Sequence, residues 1–203
     1  MTFITFEGGD GAGKSTQITT AIDGLRNAGW TVADAREPGG TPLGQEIREL
    51  LLAPESDIDP RAEALLFAAD RAQNIATFVR PALARGEVVI QDRYIDSSIA
   101  YQGASRGLPA DDLRAISAWA TQMLVPDLTI LIDLDPAIAA ARRNGTTPDR
   151  IEAEGLEFQY RLRQGYLDIA AAEPQRFVVV NGELDPAEQS GIIAGAIIGR
   201  LSR

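Results

Sequence analysis

The sequence contains no histidine and no cysteine. Without cysteine there is neither a disulfide scaffold nor a thiolate metal site. Without histidine, Ser-His-Asp and Cys-His activation and histidine-bound zinc are excluded. Basic residues are in short supply, 19 against 29 acidic ones, for a formal net charge of -10. That balance suits a nucleotide ligand better than a nucleic-acid polymer, so no polymer is expected as a partner. Long hydrophobic runs are also missing. GIIAGAIIG, residues 191–199, is too short to cross a bilayer, and no membrane partner is expected. Its glycines at G-x-x-x-G spacing read as a closely packed terminal helix. The chain opens directly into strand-like sequence, so no signal peptide is expected. These features indicate a cytoplasmic enzyme. The 203 residues suffice for one α/β domain with a full core, taken as 1–203.

Lysine is nearly absent as well: Lys14 is the only one. It lies in EGGDGAGKST, which holds G-x-x-x-x-G-K-S with Gly8, Gly13, Lys14 and Ser15 in place. Glycines let backbone N–H groups wrap a phosphate closely, and the following helix points its positive end at the same anion. A lysine adds a compact charge, and the serine hydroxyl suits Mg²⁺. The segment therefore reads as an ATP-phosphate site made of Gly8, Gly9, Asp10, Gly11, Ala12, Gly13, Lys14, Ser15 and Thr16. A glycine-rich turn matching by chance is the competing reading. The flanks oppose it, because TFITFE is strand-like and residues 16–29 carry apolar residues at helical spacing.

Strands and helices alternate along the rest of the chain, the pattern of a parallel sheet with helices on both faces. Strands are expected at 2–7, 31–37, 87–92, 128–134 and 176–181. The fourth is the most hydrophobic and is expected at the centre. Helices are expected at 45–53, 61–84 with a bend at Pro81, from 94 onwards, at 111–123, after Asp135-Pro136, at 156–172 and after Asp185-Pro186. About five parallel strands are predicted.

Ligands of such sheets bind beyond the carboxyl ends of the strands. Asp92 ends the third strand, where a carboxylate suits Mg²⁺ directly or through water; a helix-capping aspartate is the alternative. Arg93 follows and suits an anionic acceptor. Arg93, Ser97 and Tyr101 recur at helical spacing, with Ser98 and Gln102 as the next stripe. Phe67 and Arg71 share a helix face and suit a flat base. By spacing alone, a core phenylalanine beside an exposed arginine is the stronger reading. RRNGTTPDR places Arg142, Arg143 and Arg150 on a polar segment, a lid of about 142–151 over ATP. As an isolated signal it also fits a solvated basic loop.

From end to end the chain resembles the bacterial thymidylate kinases. The resemblance rests on GGDGAGKST, REPGGTPLGQEIR, LLFAADRAQ, DRYIDSSIAYQG, PDLTILIDLDP and PDRIEAEGLEFQYRLRQGY, in that family's order. It implies a P-loop nucleoside-monophosphate-kinase fold with an arginine-bearing lid. It also implies transfer of the γ-phosphoryl group of ATP to dTMP with Mg²⁺, and a homodimer in the cytoplasm. Carried over by motif, Lys14, Arg93 and Arg150 act on the transferring group, Arg142 and Arg143 assist ATP, and Ser15 and Asp92 hold the metal. The acceptor is held by Asp10, Glu37, Arg48, Phe67, Arg71, Arg93, Ser97, Ser98, Tyr101 and Gln102. Phe67 stacks on thymine, Arg71 faces its carbonyl edge, Ser98 and Gln102 complete base recognition, and Tyr101 crowds the sugar's 2′ position. Asp10 stands where many relatives carry Glu. Gly11 replaces the P-loop arginine of some eukaryotic relatives, which leaves the positive charge to the lid. Asn74 stands where His is often found. A phosphate acceptor needs no general base, which suits a chain without histidine. A deoxynucleoside kinase, with a glutamate base acting on a 5′-hydroxyl, is the nearest rival. A GTPase switch is remote, since N-K-x-D needs a second lysine.

Overall fold

Side chains alternate faces along a strand, and here both faces are covered. In β1 (Thr2–Glu7), Ile4 and Phe6 enter one hydrophobic core and Phe3 the other. This is why the strands read as near-continuous apolar runs. The computed structural model describes residues 2–142 and 150–202. After β1 come α1 (Lys14–Asn27), β2 (Val32–Arg36), α2 (Pro42–Leu52) and α3 (Pro60–Asn74). A π-helical turn (Ile75–Val79) leads into α4 (Arg80–Ala84) and β3 (Val88–Asp92). Next are α5 (Ile95–Ser98), a second π-helical stretch (Ile99–Ser105), α6 (Ala110–Thr121), β4 (Leu128–Asp133) and α7 (Pro136–Arg142). The chain closes with a 3₁₀ turn (Glu152–Glu154), α8 (Gly155–Ala172), β5 (Phe177–Asn181) and α9 (Pro186–Leu201).

The five expected strands form one all-parallel sheet in the order β2-β3-β1-β4-β5. The centre is β1, not the more hydrophobic β4, which lies beside it. Burial on both faces, not position in the order, sets that hydrophobicity. On one face α1 brings Ile18, Ile22 and Leu25, and α9 brings Ile193 and Ile197. On the other, Ile75, Val79 and Ala82 pack near Phe3, while Leu162, Tyr166 and Ile169 of α8 pack near Leu131. Each fully buried large apolar side chain contributes about 1.5–3 kcal/mol. The parallel register sets Phe6 and Arg36 opposite Asp92. Three strand ends, from β1, β2 and β3, therefore open onto one edge.

Several boundaries differ from expectation for local reasons. α2 begins at Pro42, not near 45, because Thr41 caps it: its side chain accepts from the Gly44 N–H at 3.0 Å. Thr41-Pro42 thus repeats the cap-and-proline signature of Asp59-Pro60 and Asp185-Pro186. The helix expected over 61–84 widens into a π turn before Pro81, which has no N–H to return to the preceding turn. The terminal glycines do not mediate close packing. A Cβ added at Gly191, Gly195 or Gly199 meets nothing within 4 Å. α9 docks through Ile193 and Ile197 instead, beside an apolar groove against α1.

Candidate active site

The loop from β1 to α1 folds as its glycines demand. Gly8 has φ +135°, and a Cβ there would sit 2.5 Å from the Ile132 carbonyl oxygen, so the loop lies directly on β4. Gly13, with φ +100°, caps α1 without a side-chain bond, leaving the first-turn N–H groups without a side-chain cap. Lys14 folds back, and its Nζ donates to the Gly8 and Gly9 carbonyls at 2.9 Å each. Burial, with Arg93 nearby, lowers the Lys14 pKa to about 8, against the pull of Asp10, Asp92 and Glu7.

Arg93 enters the site by an unusual backbone. It precedes the helix with φ 63°, and its N–H donates to the Phe6 carbonyl at 3.0 Å. The expected helical stripe of Arg93, Ser97 and Tyr101 is therefore wrong in cause, since only Ser97 and Tyr101 lie beyond the helix start. The three side chains still meet. Arg93 Nη2 donates to Asp10 Oδ1 at 2.5 Å, Nη1 to Tyr166 Oη at 3.2 Å and Ser97 Oγ at 3.4 Å. Its guanidinium lies 5.1 Å from the Tyr101 ring centroid, and Tyr101 Oη donates to Asp10 Oδ2 at 3.0 Å. Burial disfavours charge on Asp10, but Arg93 and Lys14 outweigh it and hold the carboxyl well below the usual carboxylate range.

Beneath this cluster lies Glu7, the charged end of an apolar strand. Its Oε2 accepts from Ser97 Oγ at 2.6 Å and Tyr166 Oη at 3.0 Å, and its Oε1 from the Tyr94 N–H at 2.8 Å. Burial and the nearby Asp96 raise Glu7 to about 6. With both hydroxyl protons turned to Glu7, the Ser97 and Tyr166 oxygens present lone pairs to Arg93. Sequence reading did not identify Glu7 or Tyr166 as site residues. A carboxylate ending a fully buried strand was the available signal for Glu7.

One cleft of about 550 Å³ joins these parts. Its walls include Asp10, Gly11, Gly13, Lys14, Ser15, Thr16, Glu37, Arg48, Phe67, Asp92, Arg93, Ser97, Ser98, Tyr101, Gln102 and Arg142. Arg36 and Pro38, which follow the second strand as cleft residues were expected to, also line it, as do Leu52 and Ile151, to which the sequence assigned no role. Lys14, Arg36, Arg48, Arg93 and Arg142 thus face one space in a chain of net charge -10. A concentration of cations against the overall charge marks an anion site. Arg48 is steadied by the Pro38 carbonyl (3.0 Å) and Arg142 by that of Gly182 (3.1 Å). Phe67 is half-buried and lines the cleft, not the core alone.

Other expected site residues sit elsewhere. Gly8, Gly9 and Ala12 line a smaller cavity beneath the loop. Arg71 is buried, not exposed, and lies behind the cleft wall. It donates from Nε to Glu37 Oε2 (2.7 Å), from Nη1 to Ser98 Oγ (3.0 Å) and from Nη2 to the Tyr94 carbonyl (2.9 Å). Asn74 Nδ2 donates to Glu37 Oε1 at 3.1 Å. Burial raises Glu37 to about 7 despite Arg71, and both its oxygens are engaged. Arg150 is tied to the Leu51 carbonyl by Nε (2.8 Å) and to Glu63 by Nη2 (2.5 Å), and does not line the cleft. Arg143 lies outside the described residues.

Ser15 and Asp92 fit a divalent cation in chemistry. Both line the cleft, and Asp92 Oδ1 is buried with no hydrogen-bond partner. Among the described residues no group of three acidic, histidine or cysteine ligands exists, so a metal there needs phosphate and water oxygens as well.

A family profile described as thymidylate kinase matches residues 6–190. A thymidylate kinase of Leifsonia xyli subsp. xyli is 56% identical over 201 residues, covering 98% of this chain and 95% of that protein. That match decides the assignment. The chain belongs to the thymidylate kinase family. The thymidylate kinase of Clavibacter sepedonicus is 58% identical over 181 residues, 88% of this chain and 86% of its own. That of Deinococcus radiodurans is 51% identical over 201 residues, 98% and 97% of the two chains. The family fold accounts for the five-stranded parallel sheet and for the P-loop at its central strand.

Proposed function

We propose that the chain transfers the γ-phosphoryl group of ATP to dTMP, giving dTDP and ADP. The observation that carries this reading is the shared cleft: Lys14 after β1, Arg93 after β3 and Phe67 on α3 line one space. Backbone N–H groups from Gly8 to Thr16 hold the ATP phosphates, and Lys14 leaves its carbonyl partners for the outer ones. Arg93, with Arg48 and Arg36, receives the acceptor phosphate. Asp10 anchors Arg93 and faces the sugar with Tyr101. Phe67 stacks on the base. Ser98 and Gln102 contact its edge, and Arg71 acts from behind Ser98. Arg142 and Arg143 assist ATP. Arg150 reaches the transferring group only if it leaves Glu63. The kinase is read as a single domain, with a lid of about 142–151, of which 143–149 lie outside the described residues.

Ser15 and Asp92 would hold Mg²⁺, the latter through Oδ1 or a bound water. The ion would supply charge neutralisation on the phosphates. The attacking oxygen of dTMP is already anionic, so no side chain need act as base. What remains is positioning and charge, which the cationic cleft supplies. Cytoplasmic location belongs to the same reading. Among the described residues no helix is long and apolar enough to cross a membrane. A homodimer is proposed as well. Exposed Leu65 on α3 and Trp119 on α6 offer an apolar face for a second copy.

A coupled ADP-release assay tests the reaction. With ATP and Mg²⁺, dTMP should be used far better than thymidine, dCMP or dGMP. A preference for thymidine would establish phosphorylation of a hydroxyl instead.

A further inference from the structure

The two ends of a glutamine amide are chemically opposite: Oε1 only accepts and Nε2 only donates. Gln102 lines the cleft beside Ser98 and Tyr101. Which end it turns to a ligand depends on what holds the other end. That partner is Glu63, in the first turn of α3. Glu63 Oε1 accepts from Gln102 Nε2 at 2.9 Å and from Arg106 Nε at 3.3 Å. Its Oε2 accepts from Arg150 Nη2 at 2.5 Å and Arg106 Nη2 at 3.2 Å. Four donors meet the four lone-pair directions of one carboxylate, whose side chain is only 2% exposed.

Burial works against charge on Glu63, but the bonds from Gln102, Arg150 and Arg106 prevail and lower its pKa. An ionised carboxylate accepts and cannot donate. The amide end it receives must therefore be the NH₂ group. No described donor reaches Gln102 Oε1, and that atom is not among the buried unpartnered ones. The carbonyl oxygen is the end left for a ligand.

We propose that Glu63 is a positioning residue for base selection: it fixes the Gln102 amide so that an acceptor faces the base. Such a site pairs with a pyrimidine that carries a proton on N3, as thymine does. It opposes cytosine, whose N3 is a lone pair, because two acceptors would face each other unpaired. The inference rests on the reading of Gln102 as a base contact.

The test compares Glu63→Gln, Gln102→Ala and the double variant. The measured quantity is the ratio of kcat/KM for dTMP to that for dCMP. This ratio cancels the concentration of active enzyme, so a partly unfolded preparation does not distort it. Glu63→Gln can present either end of its own amide, which frees Gln102 to turn. The ratio should fall about tenfold or more in each single variant. It should fall no further in the double variant than in Gln102→Ala alone. Glu63→Asp keeps an acceptor-only group and should retain most of the discrimination, even if total activity drops. It serves as the second comparison if Glu63→Gln fails to fold, and loss of discrimination in it would overturn the proposal. If Gln102→Ala leaves the ratio unchanged, the base-contact reading fails and the proposal falls with it. If Gln102→Ala lowers the ratio and Glu63→Gln does not, the role of Glu63 alone is overturned.

Discussion

Arg71 shows what the surroundings add to a residue. Its spacing with Phe67 suggests a base-reading pair or an exposed arginine on a helix. The structure instead buries it against Glu37, with Ser98 and the Tyr94 carbonyl as further partners. Arg71→Ala therefore removes more than a ligand contact. It leaves the Glu37 carboxylate buried without its cation, which costs on the order of 3–5 kcal/mol of stability. Denaturant unfolding should show that loss, and Glu37→Gln added to Arg71→Ala should recover part of it. An unchanged unfolding midpoint in Arg71→Ala would mean that the pair contributes nothing to the fold. The residues that sequence reading missed, Glu7, Glu63 and Tyr166, share one trait. Each acts on another side chain through a partner distant in the chain, and no local pattern marks such a role. Lys14 and Asp92, which line the cleft, are marked by a local motif and a strand end; Phe67 lines it too, though its spacing alone favoured the core and only the family resemblance pointed to the cleft.

At the scale of elements, the P-loop was legible because one strand, one glycine loop and one helix follow each other without interruption. The later strands and most caps were legible for the same reason. The two π-helical stretches were not, because a widened turn keeps the composition of an α-helix and changes only which carbonyl each N–H finds. The left-handed Arg93 was hidden too, since glycine is the residue that ordinarily signals such a conformation. The P-loop makes a prediction of its own. Lys14 is depressed to about 8, so its neutral, nucleophilic form appears near that pH and not near that of a free lysine. An amine-reactive reagent should label Lys14 increasingly as pH rises through about 8. MgATP should suppress the labelling by occupying the loop and by favouring the charged ammonium. Peptide mapping separates Lys14 from the amino terminus, whose ordinary pKa is also about 8. Equal labelling with and without MgATP would remove Lys14 from the phosphate site.

At the scale of the whole molecule, an acidic chain turns Lys14, Arg36, Arg48, Arg93 and Arg142 toward one cleft at the carboxyl edge of its sheet. A net charge of -10 disfavours polyanions, while a cleft lined by these cations suits small anions. Two phosphate-bearing ligands, one at the P-loop and one at Arg93, fit that arrangement better than a nucleoside and ATP do. The most direct measurement follows the phosphorus atom. ATP labelled in its γ-phosphate is supplied with Mg²⁺ and equal amounts of dTMP and thymidine, and the nucleotides are separated. Label should appear in the β-phosphate of dTDP, with none in dTMP. Label in newly made dTMP, with dTDP unlabelled, would overturn transfer to a monophosphate.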